Sequence, residues 1–242
     1  MINEHFIVEF FSLPGSGKTT ISYLLIDKLY KAGIKSENLS IKIAEKPRMN
    51  RLFHKVFHVL NLFIQRPIFF VEKSVLIVKT RPKTYVDLLK VLINYFYIVS
   101  ILKDAKKKKD FIILDQGILQ AIWSINITAK RKIEISKLLP LELVPNIVIA
   151  LKVGINNINE RLTQRINKGY NVPNFKPENP TVLLNEFQDV YNQMLEDYNY
   201  KNIITLQNNF SYEVEENIKK IVMELNHNKF KKKEPQINAV SN

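Results

Sequence analysis

The residues best suited to chemistry lie between two patterns of regular structure, after the apolar segment Phe6–Phe11 and at the start of a helical pattern. Their spacing places two glycines, a lysine and two threonines within six residues. The loop expected to bind phosphate consists of Pro14, Gly15, Ser16, Gly17, Lys18, Thr19 and Thr20. Successive backbone N–H groups, a helix N-terminus and the Lys18 ammonium all attract phosphate oxygens. The spacing therefore predicts a polyphosphate-binding loop, with the Thr19 hydroxyl placed to ligate Mg²⁺.

One position of this loop departs from the usual pattern G-x-x-x-x-G-K-[ST], because Ser12 stands where the first glycine is expected. Serine adopts a positive φ less readily than glycine, so we expect a modified turn at the start of the loop. The strand pattern before the loop and the helical pattern after it support the assignment.

A second candidate is Asp115, which directly follows the apolar run Phe111–Leu114. A short, continuous apolar run is typical of a parallel strand that is buried on both faces. An acid at the carboxyl end of such a strand is the usual second carboxylate linked to Mg²⁺ in phosphate-loop enzymes. We therefore expect Thr19 and Asp115 to hold the same magnesium ion.

A third candidate is a basic helix face that contains Arg161, Arg165 and Lys168, at positions i, i+4 and i+7. Phosphoryl transfer requires neutralisation of charge on the moving group, and arginine side chains do this well. A solvated basic face is the alternative interpretation of this spacing. The position after a predicted fourth strand favours a role in closing over phosphates.

The elements that would position these residues alternate between strands and helices along the chain. The predicted strands are Phe6–Phe11, 39–44, Phe111–Leu114, 147–153 and 202–206. The predicted helices are 18–32, Arg48–Gln65 (ended by Pro67), 84–103, 155–168, 183–198 and 212–225. This alternation predicts an α/β fold with a parallel sheet covered on both faces. Ligands of such sheets bind at the carboxyl ends of the strands, where the candidate residues converge.

Composition narrows the function classes only in part. The chain has 242 residues, 46% of them hydrophobic, a net charge of +13 and no cysteine. The charge favours an anionic partner without choosing among nucleotide, nucleic acid and membrane surface. The absence of cysteine fits a reducing compartment, and we expect a cytoplasmic protein. Polar residues interrupt the most apolar stretch, 86–102, so we expect a buried helix there and no stable membrane insertion.

The motifs together resemble the nucleoside monophosphate kinases, most closely the thymidylate kinase and deoxynucleoside kinase branch of the P-loop kinases. The residues that carry the resemblance lie in 13–20, 114–115 and 144–151, and at Arg161 and Arg165. The resemblance implies a three-layer P-loop NTPase fold with a five-stranded parallel sheet flanked by helices. It implies ATP and Mg²⁺ as cofactors and phosphoryl transfer to a small-molecule acceptor, namely a nucleotide, a nucleoside or a similar compound.

The same resemblance implies a domain organisation. A P-loop kinase-like domain would span 1–226, with a helical acceptor-side insertion at about 48–109 and a lid at about 155–180. The basic tail, 227–242, is expected to be disordered.

The resemblance also implies catalytic roles. Lys18 would bridge the β- and γ-phosphates, and Arg161 and Arg165 would close over the transferring group. Glu45 would be the acceptor-side acid and, with Arg48, would orient the acceptor. If the acceptor is a hydroxyl, either Glu45 or Asp115 could take its proton; if it is a phosphate, Arg48 and Arg51 could bind it.

Two departures from the family leave the acceptor open. Gln116 stands where thymidylate kinases carry an arginine, and Lys46 separates Glu45 from the following proline. A surface role for Glu45 and the neighbouring arginines is an equal alternative.

Several alternatives remain open at the level of sequence. The chain could be an ATP-hydrolysing switch or defence-type protein, with Gln116 orienting water, or a kinase that acts on nucleic-acid ends. Helix Arg48–Gln65 is apolar and basic enough to lie on a membrane, although packing on the core is the favoured interpretation. The sequence also leaves a homodimer open.

Overall fold

A sheet of five parallel strands forms the centre of the fold. The computed structural model describes residues 6–38, 48–106, 111–169, 180–199 and 202–231. The strands are β1 (Phe6–Phe11), β2 (Ser36–Asn38), β3 (Phe111–Leu114), β4 (Ile147–Lys152) and β5 (Asn202–Gln207). Their order in the sheet is β2-β3-β1-β4-β5. The predicted five-stranded parallel sheet is therefore confirmed, and β1, which leads into the phosphate loop, lies at its centre.

Helices cover both faces of this sheet. Within the described residues they are α1 (Lys18–Lys31), α2 (Arg48–Gln65), α3 (Pro67–Lys79), α4 (Tyr85–Ala105), α5 (Ile118–Thr128), α6 (Ile135–Leu138), α7 (Ile155–Asn167), α8 (Pro180–Asp197) and α9 (Glu213–Lys231). A 3-10 turn, Leu141–Leu143, precedes β4. Parallel neighbours require such crossover connections, which place helices on the faces of the sheet.

Two hydrophobic clusters lie on opposite faces of the sheet because successive side chains of a strand point to opposite sides. Ile7 and Phe11 of β1 belong to a cluster with residues of α4, α5 and α8. Val8 and Phe10 belong to the other cluster, with residues of α1 and α9. Every residue of β3 is buried. The three-layer α/β architecture expected from the sequence is thus present.

The second strand that the structure describes lies just before the predicted one. The structure has a short strand at Ser36–Asn38, which pairs with β3 from Ser36↔Phe111 to Asn38↔Ile113. The predicted strand 39–44 lies outside the described residues, as does Glu45.

The predicted end of the helix Arg48–Gln65 before Pro67 is confirmed, because α2 ends at Gln65. The sequence did not predict α3, whose first turn Pro67 occupies. Proline lacks the N–H that would be unpaired in a first turn anyway, and its fixed φ suits the helix, so it starts helices as readily as it stops them.

The last helix also runs farther than expected. Helix α9 continues to Lys231, five residues into the segment 227–242 for which disorder was predicted. Residues 232–242 lie outside the described part of the chain. The division of the chain into a domain, an insertion, a lid and a tail remains a prediction.

Helix α4 is long and apolar enough, by length and composition, to cross a membrane, despite its polar residues. Its C-terminal half is buried in the larger hydrophobic cluster, and the Tyr95 hydroxyl donates a hydrogen bond to the Leu138 carbonyl at 2.6 Å. The core helix of a soluble protein satisfies the same criteria. Asp87 and Lys90 lie in the more exposed N-terminal half, outside the part of the helix that is buried in the core.

Candidate active site

The phosphate loop joins β1 to α1, and its two glycines adopt left-handed backbone conformations. The φ angle is +84° at Gly15 and +94° at Gly17. Ser12 differs from these glycines, because it is not among the described residues with positive φ. Its hydroxyl instead shares a short hydrogen bond with the hydroxyl of Ser16. At Ser12, where a modified turn was predicted, a hydrogen bond between two serine side chains therefore joins the start of the loop to its middle.

The glycines are also needed for close packing. A Cβ atom at Gly17 would lie 2.6 Å from the side-chain nitrogen of Asn208, and one at Gly15 would lie 3.1 Å from the side chain of Leu162. The first distance is shorter than real Cβ atoms show. The loop is thus held between the residues after β5 and the first turns of α7.

The Lys18 ammonium contacts the backbone of the phosphate loop that precedes it in the sequence. Its Nζ donates hydrogen bonds to the carbonyl oxygens of Ser12 at 2.6 Å and Leu13 at 2.9 Å. Desolvation lowers the pKa of Lys18 to about 7; the Asp115 charge raises it and the Arg165 charge lowers it further. A phosphate oxygen would supply the anionic partner that the two neutral carbonyls do not.

Thr19 and Asp115 meet at the carboxyl end of the sheet, as predicted. The Thr19 hydroxyl donates a hydrogen bond to Oδ2 of Asp115 at 3.2 Å. Asp115 is buried, and its other oxygen, Oδ1, has no hydrogen-bond partner within the described residues. A buried carboxylate oxygen without a donor is costly unless a cation or a ligand satisfies it.

This pair fits a magnesium ion. In the described parts of the chain there is no group of three or more His, Cys, Asp or Glu side chains that could hold a metal. Mg²⁺ in nucleotide-using enzymes is commonly held by only one or two protein oxygens, together with substrate phosphates and water. The hydroxyl of Thr19 and the free oxygen of Asp115 are ligands of that kind.

Arg161, on α7, lies at the site but is already engaged. Its guanidinium donates hydrogen bonds to the carbonyl oxygens of Asn209 at 2.7 Å, Asn208 at 3.0 Å and Gly15 at 3.4 Å. These bonds join α7, the loop after β5 and the phosphate loop. The geometry therefore gives Arg161 a holding role, whereas the sequence predicted contact with the transferring phosphate.

Arg165 lies one helical turn farther along α7 and has an exposed side chain. It lines the same cleft as Gly15 and Gly17, and its charge acts on Lys18. Of the two arginines that line this cleft, Arg165 is the more exposed.

The cleft beside the phosphate loop has a volume of about 330 Å³. Its walls come from the loop and α1, from α7, and from the segment between β5 and α9. Its lining residues include Gly17, Thr20, Arg161, Arg165, Asn208 and Phe210. The Phe210 ring is half exposed and stacks on Tyr212 with the ring planes 8° apart.

The remaining predicted site residues have different outcomes. Pro14 is half-buried and Ser16 is buried within the loop, while Thr20 is exposed in the first turn of α1. Glu45 lies outside the described residues. Arg48 begins α2, but its side chain is likewise outside the described part of the structure. Their acceptor-side roles remain predictions.

Asn208 is a site residue that sequence reasoning missed. Its side-chain amide donates a hydrogen bond to the carbonyl oxygen of Ser16 at 2.6 Å. Its own backbone N–H bonds the Lys152 carbonyl at 3.0 Å, which fixes the turn after β5. The available signal was its position, because two asparagines directly follow the fifth strand at the edge of the sheet where ligands bind.

Glu9 is the second missed residue. It is fully buried in β1, and its Oε1 accepts a hydrogen bond from the backbone N–H of Gln120 at 3.1 Å. A Cβ atom at Gly117 would lie 2.4 Å from the Glu9 carboxyl carbon. Burial raises the pKa of Glu9 to about 8. Hydrogen bonds from backbone N–H groups at the start of α5 act in the opposite direction and lower this pKa. The carboxyl therefore anchors the turn that follows Asp115.

No protein-family model matches the sequence, and no curated protein matches it. Solved structures do. The deoxyadenosine kinase of M. mycoides with bound dATP is 18% identical, with 91% of this chain and 100% of that chain covered and a TM-score of 0.51. The thymidylate kinase of Candida albicans is 13% identical, with 93% of each chain covered and a TM-score of 0.51. At such identities the likeness concerns the fold, and this chain has the fold of the P-loop kinases.

Proposed function

We propose that this chain, with its P-loop kinase fold, transfers the γ-phosphoryl group of ATP to a small nucleoside, nucleotide or similar acceptor. The observation that carries the proposal is the contact between Thr19 and Asp115 beside the Lys18 loop. A phosphate-binding loop and a strand-end carboxylate with an unsatisfied oxygen are brought to one point from residues 96 apart in the sequence.

The chain's own groups would act on the triphosphate as follows. The backbone N–H groups of the loop and the Lys18 ammonium bind the β- and γ-phosphates, with Lys18 exchanging its carbonyl partners for phosphate oxygens. Thr19 and Asp115 hold Mg²⁺, which would neutralise charge on the phosphates. Arg165 approaches the γ-phosphate, and Arg161 keeps α7 and the loop after β5 in position. Such preorganised cations supply most of the catalysis in phosphoryl transfer.

The cleft beside the loop supports binding of the nucleoside part of ATP. It is contiguous with Gly15 and Gly17 and has Phe210 in its wall. An aromatic ring with an exposed face stacks readily on a base, as aromatic side chains do in nucleic-acid-binding proteins. In this arrangement the nucleoside part of ATP fills the cleft between α7 and the segment after β5. An acceptor must therefore reach the γ-phosphate from a different side of the phosphate loop.

The acceptor is proposed to enter on the side of residues 45–106, where Glu45 and Arg48 would orient it. In the reaction, the bond between the γ-phosphorus and the bridging oxygen breaks and a bond to an acceptor oxygen forms, while ADP leaves. If the acceptor oxygen belongs to a hydroxyl, its proton passes to Glu45. If it belongs to a phosphate, no base is needed and cations dominate.

The test is acceptor-dependent release of ADP from Mg-ATP. The purified protein would be incubated with separate pools of nucleosides, nucleoside monophosphates, other small hydroxylated molecules and oligonucleotide ends. We expect one of the small-molecule pools to raise the rate of ADP release and to gain the phosphate label of γ-labelled ATP. Lys18→Ala should abolish the transfer, whereas Lys28→Ala, on the exposed side of the same helix, should not.

The other functions give different results in the same assay. A steady release of ADP that ignores all acceptors would identify an ATPase switch and overturn the proposal. Label transferred only to oligonucleotide ends would identify a nucleic-acid kinase. Full turnover by Lys18→Ala would show that the site itself has been misassigned.

A further inference from the structure

Helix α2 packs on the protein through a mixed face, in which Leu62 and Val59 join the hydrophobic core and several polar side chains contact α4. The Lys55 ammonium donates a hydrogen bond to the Asn94 side chain at 3.3 Å and lies 5.2 Å from the centre of the Tyr97 ring. His58 lies 3.1 Å from the Ser100 hydroxyl. These partners all belong to α4. An amphipathic helix of a soluble protein normally buries its apolar stripe.

Most of the apolar side of α2 faces away from the fold. The exposed residues recur every three or four positions, so they form one stripe along the helix. They are Met49 (61%), Leu52 (50%), Phe53 (67%), Val56 (37%), Phe57 (68%), Leu60 (56%), Phe63 (43%) and Ile64 (76%). No described residue covers them.

The exposed apolar surface continues onto α3, which begins two residues after α2 ends. Its exposed members are Ile68 (84%), Val71 (55%), Val75 (46%) and Val78 (50%). The rings of Phe63 and Phe70, 5.2 Å apart, connect the two helices. Together the two stripes, which we name the α2–α3 face, present on the order of 1,000 Å² of apolar surface. The largest apolar patch of a typical soluble monomer is about half of this or less.

The same part of the chain carries most of the protein's net positive charge. Residues 48–106 contain eleven basic and three acidic residues, a net charge of +8, against +13 for the whole protein. Lys79, Arg81 and Lys90 are exposed near the end of α3 and the start of α4. The acids are engaged locally: Glu72 pairs with Lys73, and Asp87 accepts a hydrogen bond from Thr84.

We propose that the α2–α3 face binds the surface of an anionic lipid bilayer. Apolar and aromatic side chains would enter the boundary between headgroups and acyl chains, and the neighbouring lysines and arginines would contact anionic headgroups. A free interfacial helix has its polar side hydrated by water. In this protein the polar side chains of α2 form hydrogen bonds with α4 instead. A second copy of the chain would bring another strongly positive face to the same contact, so charge complementarity favours the lipid.

The proposed binding to the bilayer is peripheral. One side of α2 and of α3 packs on the rest of the protein, so only the opposite side can enter the lipid. It is also independent of phosphoryl transfer, because none of the face residues lines the nucleotide cleft. The two proposals therefore stand or fail separately.

The test is sedimentation with vesicles made either of phosphatidylcholine alone or of phosphatidylcholine mixed with phosphatidylglycerol. We expect binding to the anionic vesicles at least tenfold stronger than to the neutral ones. Binding should weaken as salt rises from about 0.05 M to about 0.5 M, because salt screens the attraction to headgroups.

Matched variants separate the apolar and electrostatic parts. Phe53→Asp with Phe57→Asp should reduce vesicle binding at least tenfold, whereas Val182→Asp with Met223→Asp, which changes two equally exposed apolar residues elsewhere, should leave it unchanged. Lys79→Glu with Lys90→Glu should remove the preference for anionic lipid, and Lys28→Glu should not. All the changed side chains are exposed, and thermal unfolding would verify that each variant folds.

Two results would overturn the proposal. One is equal, negligible sedimentation of the wild-type protein with both kinds of vesicle. The other is a wild-type dimer that the Phe53→Asp, Phe57→Asp variant converts to monomer in sedimentation velocity, without any change in vesicle binding. The second result would assign the α2–α3 face to a second copy of the chain.

Discussion

The side-chain amide of Asn208 reaches across 192 positions of sequence to donate a hydrogen bond to the carbonyl oxygen of Ser16, at 2.6 Å. This contact ties the end of β5 to the middle of the phosphate loop. It is possible only because Gly17 has no Cβ, since the Asn208 nitrogen occupies that space.

A first prediction follows for Gly17→Ala. We expect loss of Mg-ATP affinity by more than about tenfold, because the substitution adds a clash with Asn208 to the cost of a positive φ, about 1–2 kcal/mol. Gly33→Ala is the matched control: its φ is +72°, but a Cβ there meets nothing within 4 Å. That variant should be less stable yet bind nucleotide normally. Calorimetric titration and thermal melting measure the two effects, and equal nucleotide affinities for both variants would contradict the argument.

A second prediction concerns Asp115→Asn. The amide keeps the shape but loses the charge that would face a cation, so the Mg²⁺ concentration needed for half-maximal turnover should rise about 10–100-fold. Turnover measured across a magnesium series tests this, with the exposed Glu186→Gln as a control. An unchanged magnesium dependence in Asp115→Asn would remove Asp115 from the metal site.

A third prediction separates the two arginines of α7. Arg165→Ala should lower kcat about 10²–10³-fold with little change in Tm, because its exposed side chain would act only on developing charge. Arg161→Ala should lower Tm as well as nucleotide affinity, since it removes hydrogen bonds to three carbonyl oxygens. The control is Lys28→Ala, an exposed lysine of α1 that does not line the cleft, and this variant should keep both kcat and Tm. If Arg165→Ala retains wild-type kcat, Arg165 has no part in catalysis.

A fourth prediction concerns pH. The pKa of Lys18 is lowered to about 7, so the nucleotide-free protein loses this charge as the pH rises through 7. A bound polyphosphate favours the ammonium, so binding takes up a proton above pH 7 and the affinity for Mg-ATP falls by up to about tenfold per pH unit. Calorimetry in buffers of different ionisation enthalpy measures the uptake. Lys18→Met should bind weakly without this dependence, and a pH-independent wild-type affinity between about pH 7 and 9 would refute the prediction.

A fifth prediction concerns Glu9, whose pKa is raised from 4.5 to about 8. Between pH 4.5 and about 8 the Glu9 carboxyl is protonated in the native state and ionised in the unfolded state. The free energy of unfolding of the wild type therefore falls as the pH rises through this range. Glu9→Gln has no such proton. Its stability relative to wild type should therefore increase with pH across this window, by at most about 1.4 kcal/mol per pH unit. Urea unfolding at several pH values measures this; Glu160→Gln, at an exposed position, should follow the wild type.

Local patterns were sufficient to predict much of this fold. The alternation of apolar runs with helical periodicity gave the five-stranded parallel sheet, and β1, β3 and the bounds of α2 agree with the predicted positions to the residue. The positions of the loop between β1 and α1 and of Asp115 after β3 were also predictable. Glycine spacing, a following lysine and an acid at a strand end are consequences of local geometry, and parallel strands all end at one edge of the sheet.

The contacts between distant segments were decided by tertiary structure. The sequence marked Arg161 and Arg165 as equivalent members of one helix face, yet packing of α7 against the loop after β5 engages the first and leaves the second exposed. It also favoured packing of Arg48–Gln65 on the core, which Leu62 and Val59 do, whereas most of the apolar side of this helix is exposed. Periodicity shows that a helix has two sides but not which one meets the protein, and the polar partners on α4 turned most of the apolar side of α2 outward.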